Sequence, residues 1–232
     1  MKILSPVIIG LLTFGFMLSS CQNTSENEQQ AEAQSNVEAT LTQEEAASEV
    51  STVLNVNIAT EEELAALELG KMLTKSILEQ RPFLDMNDLD ALIDAETDKE
   101  SLYKKIFVPQ NLNTTIEGDF KLIPGVGDRM AHEFEEYRPY LNIQQFRKEI
   151  GKYVDETEVA RYEQYVFVPV ELNTATEADM KALPGVGDRM AHEFEEYRPY
   201  TNMDQFRKEI GKYVDDKELS RLERLVYLKA AE

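Results

Sequence analysis

The chain has 232 residues, of which 42% are hydrophobic and 29% are charged, and its formal net charge is −20. A strongly acidic chain is unlike an ordinary nucleic-acid-binding protein, whose surface is basic. The single cysteine excludes a disulfide framework.

The first twenty residues have the pattern of an export signal. They carry one positive charge, at Lys2, and an apolar stretch from Ile3 to Leu18. Leu18-Ser19-Ser20-Cys21 resembles the lipobox of bacterial lipoproteins, in which the cysteine is acylated. This resemblance implies lipidation of Cys21, a lipid anchor in a membrane, and a location in the bacterial cell envelope on its periplasmic or cell-surface side. The alternative is a transmembrane anchor in which Cys21 is only a small residue.

Residues 21–52 are expected to form an acidic disordered tether. From Gln22 to Thr52 the chain has seven Glu, no Lys or Arg and no aromatic residue. So little apolar surface cannot offset the conformational entropy lost on ordering. As a random coil this segment would reach roughly 30 Å.

The remaining chain contains a long internal repeat. The sequence from Pro124 to Tyr140 returns without change from Pro184 to Tyr200. The spacing between these two copies is typical of repeat proteins, in which stacked units share core surface with their neighbours. We therefore predict three units of similar length, at 53–112, 113–172 and 173–232.

Helical signals dominate within the third unit. Thr176 is a candidate N-cap with an acidic residue three positions later, and Pro184 ends the helix that it opens. A second helix is predicted from about Asp188 to the Arg198-Pro199 pair. Two further helices are marked by Phe206 and Ile210 and by Leu219, Leu222 and Val226. No convincing strand is predicted apart from short β-branched pieces such as Val166–Val168, so the predicted class is all-α.

Aromatic residues at helical spacing are expected to lie in the core rather than to stack on bases. They include Phe134, Tyr137, Phe146 and Tyr153. The two histidines, His132 and His192, are expected to be solvated, and Asp155 and Asp215 to cap helices.

The repeated Pro-Gly-Val-Gly turn can bind an anion. Gly125 and Gly127 can take positive φ and bring bare main chain close to a ligand, and so can Gly185 and Gly187. The helix that opens near Asp128 would then point unpaired N–H groups at the same place. Two or three amides converging on one point favour a phosphate.

These turns resemble the tandem hairpins of the helix-hairpin-helix family, and more narrowly those of ComEA-type competence DNA receptors. The resemblance is carried by Asn173-Thr174-Ala175-Thr176, Leu183-Pro184-Gly185-Val186-Gly187 and Tyr197-Arg198. The middle unit matches through Asn113-Thr114-Thr115-Ile116 and Ile123-Pro124-Gly125-Val126-Gly127. In the first unit the hairpin reads Leu67-Glu68-Leu69-Gly70, which lacks the proline and one glycine, so we predict a degenerate hairpin there.

The resemblance implies sequence-nonspecific binding of double-stranded DNA, with a role in DNA uptake. It implies no enzymatic activity, no cofactor and no metal other than a monovalent cation that family hairpins can hold through carbonyl groups. The implied phosphate-binding residues are Gly125, Val126, Gly127, Arg129, Gly185, Val186, Gly187 and Arg189. A local basic patch is predicted from Arg147, Lys148, Lys152, Arg207, Lys208 and Lys212.

Two features leave a second interpretation open. Residues 53–232 carry a formal charge of −14, and Asp128 and Asp188 can cap their own helices by accepting the amides that a phosphate needs. In that case the chain would be an envelope interaction or spacer module, associated with transport or secretion. Its acidic faces would meet a partner protein with a basic surface.

Overall fold

The computed structural model describes residues 52–229. The predicted export signal, the lipidation of Cys21 and all but the last residue of the predicted tether lie outside the described residues. Residues 52–229 are mostly helical, with twelve helices and six strands of two residues each. No helix within this range is long and apolar enough to cross a membrane.

The order strand, four helices, strand occurs three times, in segments that we number one to three. Segment one contains β1 (Leu54–Asn55), α1 (Glu61–Ala66), α2 (Lys71–Gln80), α3 (Met86–Asp90), α4 (Lys99–Tyr103) and β2 (Ile106–Phe107). Segment two contains β3 (Gln110–Asn111), α5 (Glu117–Phe120), α6 (Asp128–Glu136), α7 (Ile143–Ile150), α8 (Glu156–Glu163) and β4 (Val166–Phe167). Segment three contains β5 (Val170–Glu171), α9 (Glu177–Lys181), α10 (Asp188–Glu196), α11 (Met203–Ile210), α12 (Asp216–Glu223) and β6 (Val226–Tyr227).

The two strands of each segment pair with each other in parallel, as β1 with β2, β3 with β4 and β5 with β6. The predicted β-branched piece at Val166 is therefore a strand, β4. Val226 was predicted to mark a fourth helix and lies instead in β6, opposite Val170. The reason is that α12 ends at Glu223, and the Leu225 carbonyl then accepts a hydrogen bond from the Val170 N–H group at 3.0 Å.

The predicted helix starts in segment three are confirmed. Thr176 and Asp179 form a capping box at α9, and α10 begins at Asp188. Asp155 caps α8 and Asp215 caps α12, each by accepting the N–H group three residues later. Each cap satisfies one of the amides that every helix start leaves without an intrahelical partner.

Phe134 and Phe146 lie in the core, as predicted, whereas Tyr137 and Tyr153 are only partly buried and join their hydroxyl groups at 2.7 Å. Phe134 is fully buried and packs edge to face on Phe120, Phe146 and Tyr162, each at a centroid distance of 5.3 Å. Such edge-to-face pairs add to the free energy gained from burial alone. One continuous cluster joins segments one and two, and a second cluster fills segment three.

An Asn that recurs near the start of each segment has a structural role. The Asn173 side-chain amide donates to the Tyr200 carbonyl at 2.9 Å and accepts from the Tyr200 N–H group at 2.7 Å. Asn113 makes the same pair with Tyr140, and Asn57 makes it with Phe83. This double hydrogen bond ties the start of each segment to the residue that follows the Arg-Pro pair.

The arginine of the Tyr-Arg motif also holds main chain rather than a ligand. The Arg198 guanidinium donates to the carbonyl of Leu172 at 2.5 Å and to that of Ala175 at 2.6 Å. Arg138 contacts the carbonyls of Leu112 and Thr115 in the same way. The motif residues before and after the hairpin therefore hold the flanking main chain in place.

Replacing Asn173 with Ala tests how much its double hydrogen bond with Tyr200 contributes to stability. We expect the free energy of unfolding to fall by about 2–3 kcal/mol, because the N–H and carbonyl of buried Tyr200 both lose their partner. Urea unfolding of the full-length chain measures the change. Asn202, an exposed helix cap in the same segment, is the control, since Asn202→Ser keeps a capping oxygen and should change the value by only a few tenths of a kcal/mol. Equal losses in both variants would contradict the role given to Asn173.

Candidate nucleic-acid interface

The two glycines of each turn have different conformations. Gly125 has φ +80° and Gly185 has φ +70°, a region that favours glycine. Gly127 and Gly187 have φ near −90° and ψ near 180°, which is extended backbone. The prediction of positive φ is therefore correct for the first glycine of each pair and wrong for the second, which is the N-cap of the helix that follows.

The first turns of α6 and α10 are not capped by any side chain. Within residues 52–229, the N–H groups of residues 128–130 and 188–190 have no backbone acceptor. Residues 127–129 and 187–189 are exposed. These helices, each nine residues long, thus present three unpartnered donors and the positive end of a helix dipole to solvent.

Val126 and Val186 belong to the turn but do not supply donors. The Val126 N–H group donates to the Ile123 carbonyl at 3.0 Å, and the Val186 N–H group donates to the Leu183 carbonyl at 3.1 Å. Both valine side chains are buried. The prediction that Val126 and Val186 bind phosphate through their amides is therefore wrong, because these amides already close the turn.

The aspartates at the helix starts do not cover the amides. Asp188 forms an ion pair with Lys181 at 2.7 Å, and Asp128 pairs with Lys121 in the same way. Hydrogen bonding to the lysine lowers the pKa of both carboxyl groups. The alternative in which Asp128 and Asp188 cap their own helices is therefore wrong, since the carboxylates turn sideways to the preceding helix.

Arg129 and Arg189 follow these aspartates and are exposed. Among the residues that the structure describes, neither has a carboxylate within ion-pair distance. The Arg129 guanidinium lies 5.8 Å from the ring centroid of Tyr153. Both predicted phosphate-binding arginines thus sit next to the open amides with their charge uncompensated.

The predicted basic patch is not a free cationic surface. Arg147 forms a two-point ion pair with Glu163 at 2.6 and 2.7 Å, and Arg207 pairs with Glu223. Lys152 pairs with Glu149, and its counterpart Lys212 pairs with Glu209. Lys148 and Lys208 lie 3.9 and 3.6 Å from these same two glutamates. Acidic partners therefore offset most of the positive charge of the patch.

Two arginines that the sequence did not single out hold the turns in place. Arg161 donates to the Pro124 carbonyl at 2.8 Å, and Arg221 donates to the Pro184 carbonyl at 2.6 Å. Each is fixed by a two-point ion pair to a glutamate three residues earlier, Glu158 or Glu218. The Glu-x-x-Arg spacing was visible in the sequence, but nothing in it indicated a contact with the hairpin 37 residues away. In each of these two hairpins a guanidinium therefore occupies a carbonyl of the kind that the family resemblance implied for a monovalent cation.

The two hairpins are identical in sequence but differ in their surroundings. A methyl group added at Gly185 would lie 3.0 Å from a side-chain carbon of Ile58 in segment one. At Gly125 the nearest atom to such a methyl group is in Arg161, at 3.3 Å. Segment one also reaches segment three through Lys217, which donates to the Glu79 carbonyl at 3.4 Å. Segment one therefore lies against the hairpin of segment three at Gly185, whereas the atoms near Gly125 belong to segment two itself.

The turn of segment one is degenerate, as predicted. It is one residue shorter, Glu68 takes φ +55°, and the N-cap Gly70 takes φ +83° instead of extended backbone. A non-glycine residue at positive φ is strained. The chain thus enters α2 from a different direction, although α2 also lacks a side-chain cap.

His132 and His192 are exposed, as predicted. Within the described range, no group of three or more His, Cys, Asp or Glu side chains is placed to hold a metal ion.

Comparison with known families agrees with this geometry. Residues 166–226 match the family model described as a helix-hairpin-helix motif. This range contains α9, the Leu183–Gly187 turn and α10. Motifs of this class are commonly associated with nucleic-acid binding. No curated protein and no solved structure matches the chain significantly. Residues 166–226 therefore carry a match to the helix-hairpin-helix motif.

The two glycines of one turn should respond oppositely to substitution. Gly125→Ala forces a side chain to positive φ, and we expect a loss of about 1–2 kcal/mol in the free energy of unfolding. Gly127→Ser fits extended backbone with no atom within 4 Å, and a serine N-cap should raise stability by a few tenths of a kcal/mol. Urea unfolding of both variants checks the assignment. Equal destabilisation by the two substitutions would show that the turn geometry is wrong.

Proposed function

We propose that this chain is a lipid-anchored, sequence-nonspecific binder of double-stranded DNA in the bacterial cell envelope. Its three segments are three tandem helix-hairpin-helix units, the first with a degenerate hairpin. The arrangement is that of ComEA-type competence receptors, and the role is capture of incoming DNA. Acylation at Cys21 would provide the anchor, and residues 22–52 would separate the binding units from the membrane.

The open first turns of α6 and α10 carry this proposal. Each combines three unpartnered N–H groups with an exposed arginine, Arg129 or Arg189. Amides and guanidinium groups are donors that suit phosphate oxygens, and contacts to phosphate carry no sequence information. The neighbouring Asp128 and Asp188 are paired with lysines, which reduces their repulsion of a polyanion.

The small free energy of each anion contact limits the affinity for DNA. One helix N-terminus contributes about 0.3–1 kcal/mol to holding an anion at an exposed site, so two hairpins give only a few effective contacts. The net charge of −20 opposes them. We therefore expect dissociation constants that are micromolar or weaker.

One observation favours the second candidate, an envelope interaction or spacer module. The basic residues expected to support DNA binding at α7 and α11 are paired with glutamates instead. In this interpretation the acidic faces meet a partner protein with a basic surface, and the hairpins serve only to connect helices.

A salt titration tests the binding of DNA. The full-length chain in a neutral detergent should bind two short duplexes of unrelated sequence with the same affinity, measured by fluorescence anisotropy. With two to four phosphate contacts, the slope of log K against log salt should be about −2 to −4. An absence of binding at low salt and high protein concentration would leave only the interaction module.

Moving a carboxylate from the first helical residue to the N-cap position tests whether the first-turn amides contact DNA. Gly127→Asp combined with Asp128→Asn keeps the net charge but places a capping carboxylate on the first-turn amides, and the same pair is made at Gly187 and Asp188. We expect the fold to be retained and DNA affinity to fall at least about tenfold, because two anions compete for the same donors.

Asp128→Asn with Asp188→Asn is the matched control. It removes two negative charges without covering any amide, so DNA affinity should rise. If the charge-conserving variant binds DNA as tightly as the parent chain, the amides of α6 and α10 are not the contact.

A further inference from the structure

An open groove of about 530 Å³ lies in segment one, between the degenerate turn and α4. The turn forms one wall, from Leu67 to Leu73, and residues between 92 and 105 form the other. The apolar lining residues are Leu67, Leu69, Met72, Leu73, Leu92, Ile93 and Leu102. No described side chain fills this space.

Segments two and three fill the corresponding place with an arginine. Arg161 and Arg221 each lie five residues before the closing strand of their segment, and each reaches from its helix to the hairpin carbonyl. Five residues before β2 the chain has Ser101, which lines the groove. A serine is too short to span from α4 to the turn, and the groove lies where the spacing from the closing strand would place an arginine.

The acidic partner of that arginine is retained. Glu158 and Glu218 stand three residues before the arginines and bind them. Asp98 stands three residues before Ser101, accepts a hydrogen bond from its hydroxyl at 2.7 Å, and lines the groove. Asp98 also accepts from the Ser101 N–H group at 3.2 Å as the N-cap of α4, so among the described residues its exposed carboxylate is hydrogen-bonded only to Ser101.

Main-chain acceptors are also free at the groove. Within residues 52–229, the carbonyls of Glu68 and Leu69 accept no backbone hydrogen bond, whereas the Pro124 carbonyl in segment two accepts one from Arg161. The charged lining residues are three acidic ones, Glu68, Asp94 and Asp98, and two basic ones, Lys71 and Lys105. Apolar walls of this kind suit the methylene stem of a long cationic side chain.

We propose that this groove binds an arginine side chain of a partner protein. The guanidinium pairs with Asp98 and the free turn carbonyls, and its stem packs on the leucines, as Arg161 and Arg221 do within their own segments. The chain's own segment from Gln22 to Thr52 contains no Lys or Arg and so lacks the required group. This proposal is independent of DNA binding, since it involves neither α6 nor α10.

Methyl NMR of the full-length chain in neutral detergent tests the proposal. The probe is a short acetylated peptide with one arginine between two leucines, compared with the same peptide carrying lysine or alanine. We expect saturable shifts at Leu69, Ile93 and Leu102, with affinity at least about threefold weaker for lysine, since only arginine makes a two-point contact. The alanine peptide should produce no saturable shift.

Two variants separate the groove from other surfaces. Ser101→Arg should fill the groove from within and abolish the shifts. Asp98→Asn keeps a capping side chain at α4, so it folds even if Ser101→Arg does not, and it should weaken arginine binding at least about fivefold. Arginine binding that is unchanged in Asp98→Asn, or equal shifts with the alanine peptide, would overturn the proposal. So would shifts that appear only after residues 1–50 are removed, because the chain's own N-terminal segment would then be the occupant.

Discussion

The orientation of two carboxylates decides what the hairpins can do. Asp128 and Asp188 begin their helices, where an aspartate side chain can cap the helix or leave its amides open. Lys121 and Lys181, at the ends of the preceding helices, draw the carboxylates sideways. Because of this pairing, three N–H groups on each of α6 and α10 remain available, and the arginine that follows each aspartate adds an uncompensated charge.

The rest of each segment supports this small surface. The Asn173–Tyr200 pair and the contacts of Arg198 fix the helices on either side of the turn, while Arg221 holds the turn itself by the Pro184 carbonyl. Residues that look like a binding motif in sequence are thus divided into two groups. Several hold the main chain in place, whereas the second glycine and the helix start that follows it lie at the surface with open donors.

Much of the fold could be predicted from the sequence, because its signals are local. Thr176 with Asp179 and the apolar spacing of α10 involve residues three or four positions apart, and these elements were placed correctly. Val226 was misplaced because its strand depends on Val170, far away along the chain. The Arg161 contact with Pro124 and the pairing of Arg147 with Glu163 were missed for the same reason, since they depend on how the helices pack. The lipid anchor and the tether remain predictions.

The parallel pairing within each segment has an evolutionary consequence. Since β3 pairs with β4 and β5 with β6, the entry and exit of a segment lie side by side, about 4.8 Å apart. Val108-Pro109 and Val168-Pro169 alone join one exit to the next entry. A gene that gained or lost one such block would join its segments again through a link of the same two-residue length. The unchanged stretch shared by Pro124–Tyr140 and Pro184–Tyr200 is what such copying leaves behind.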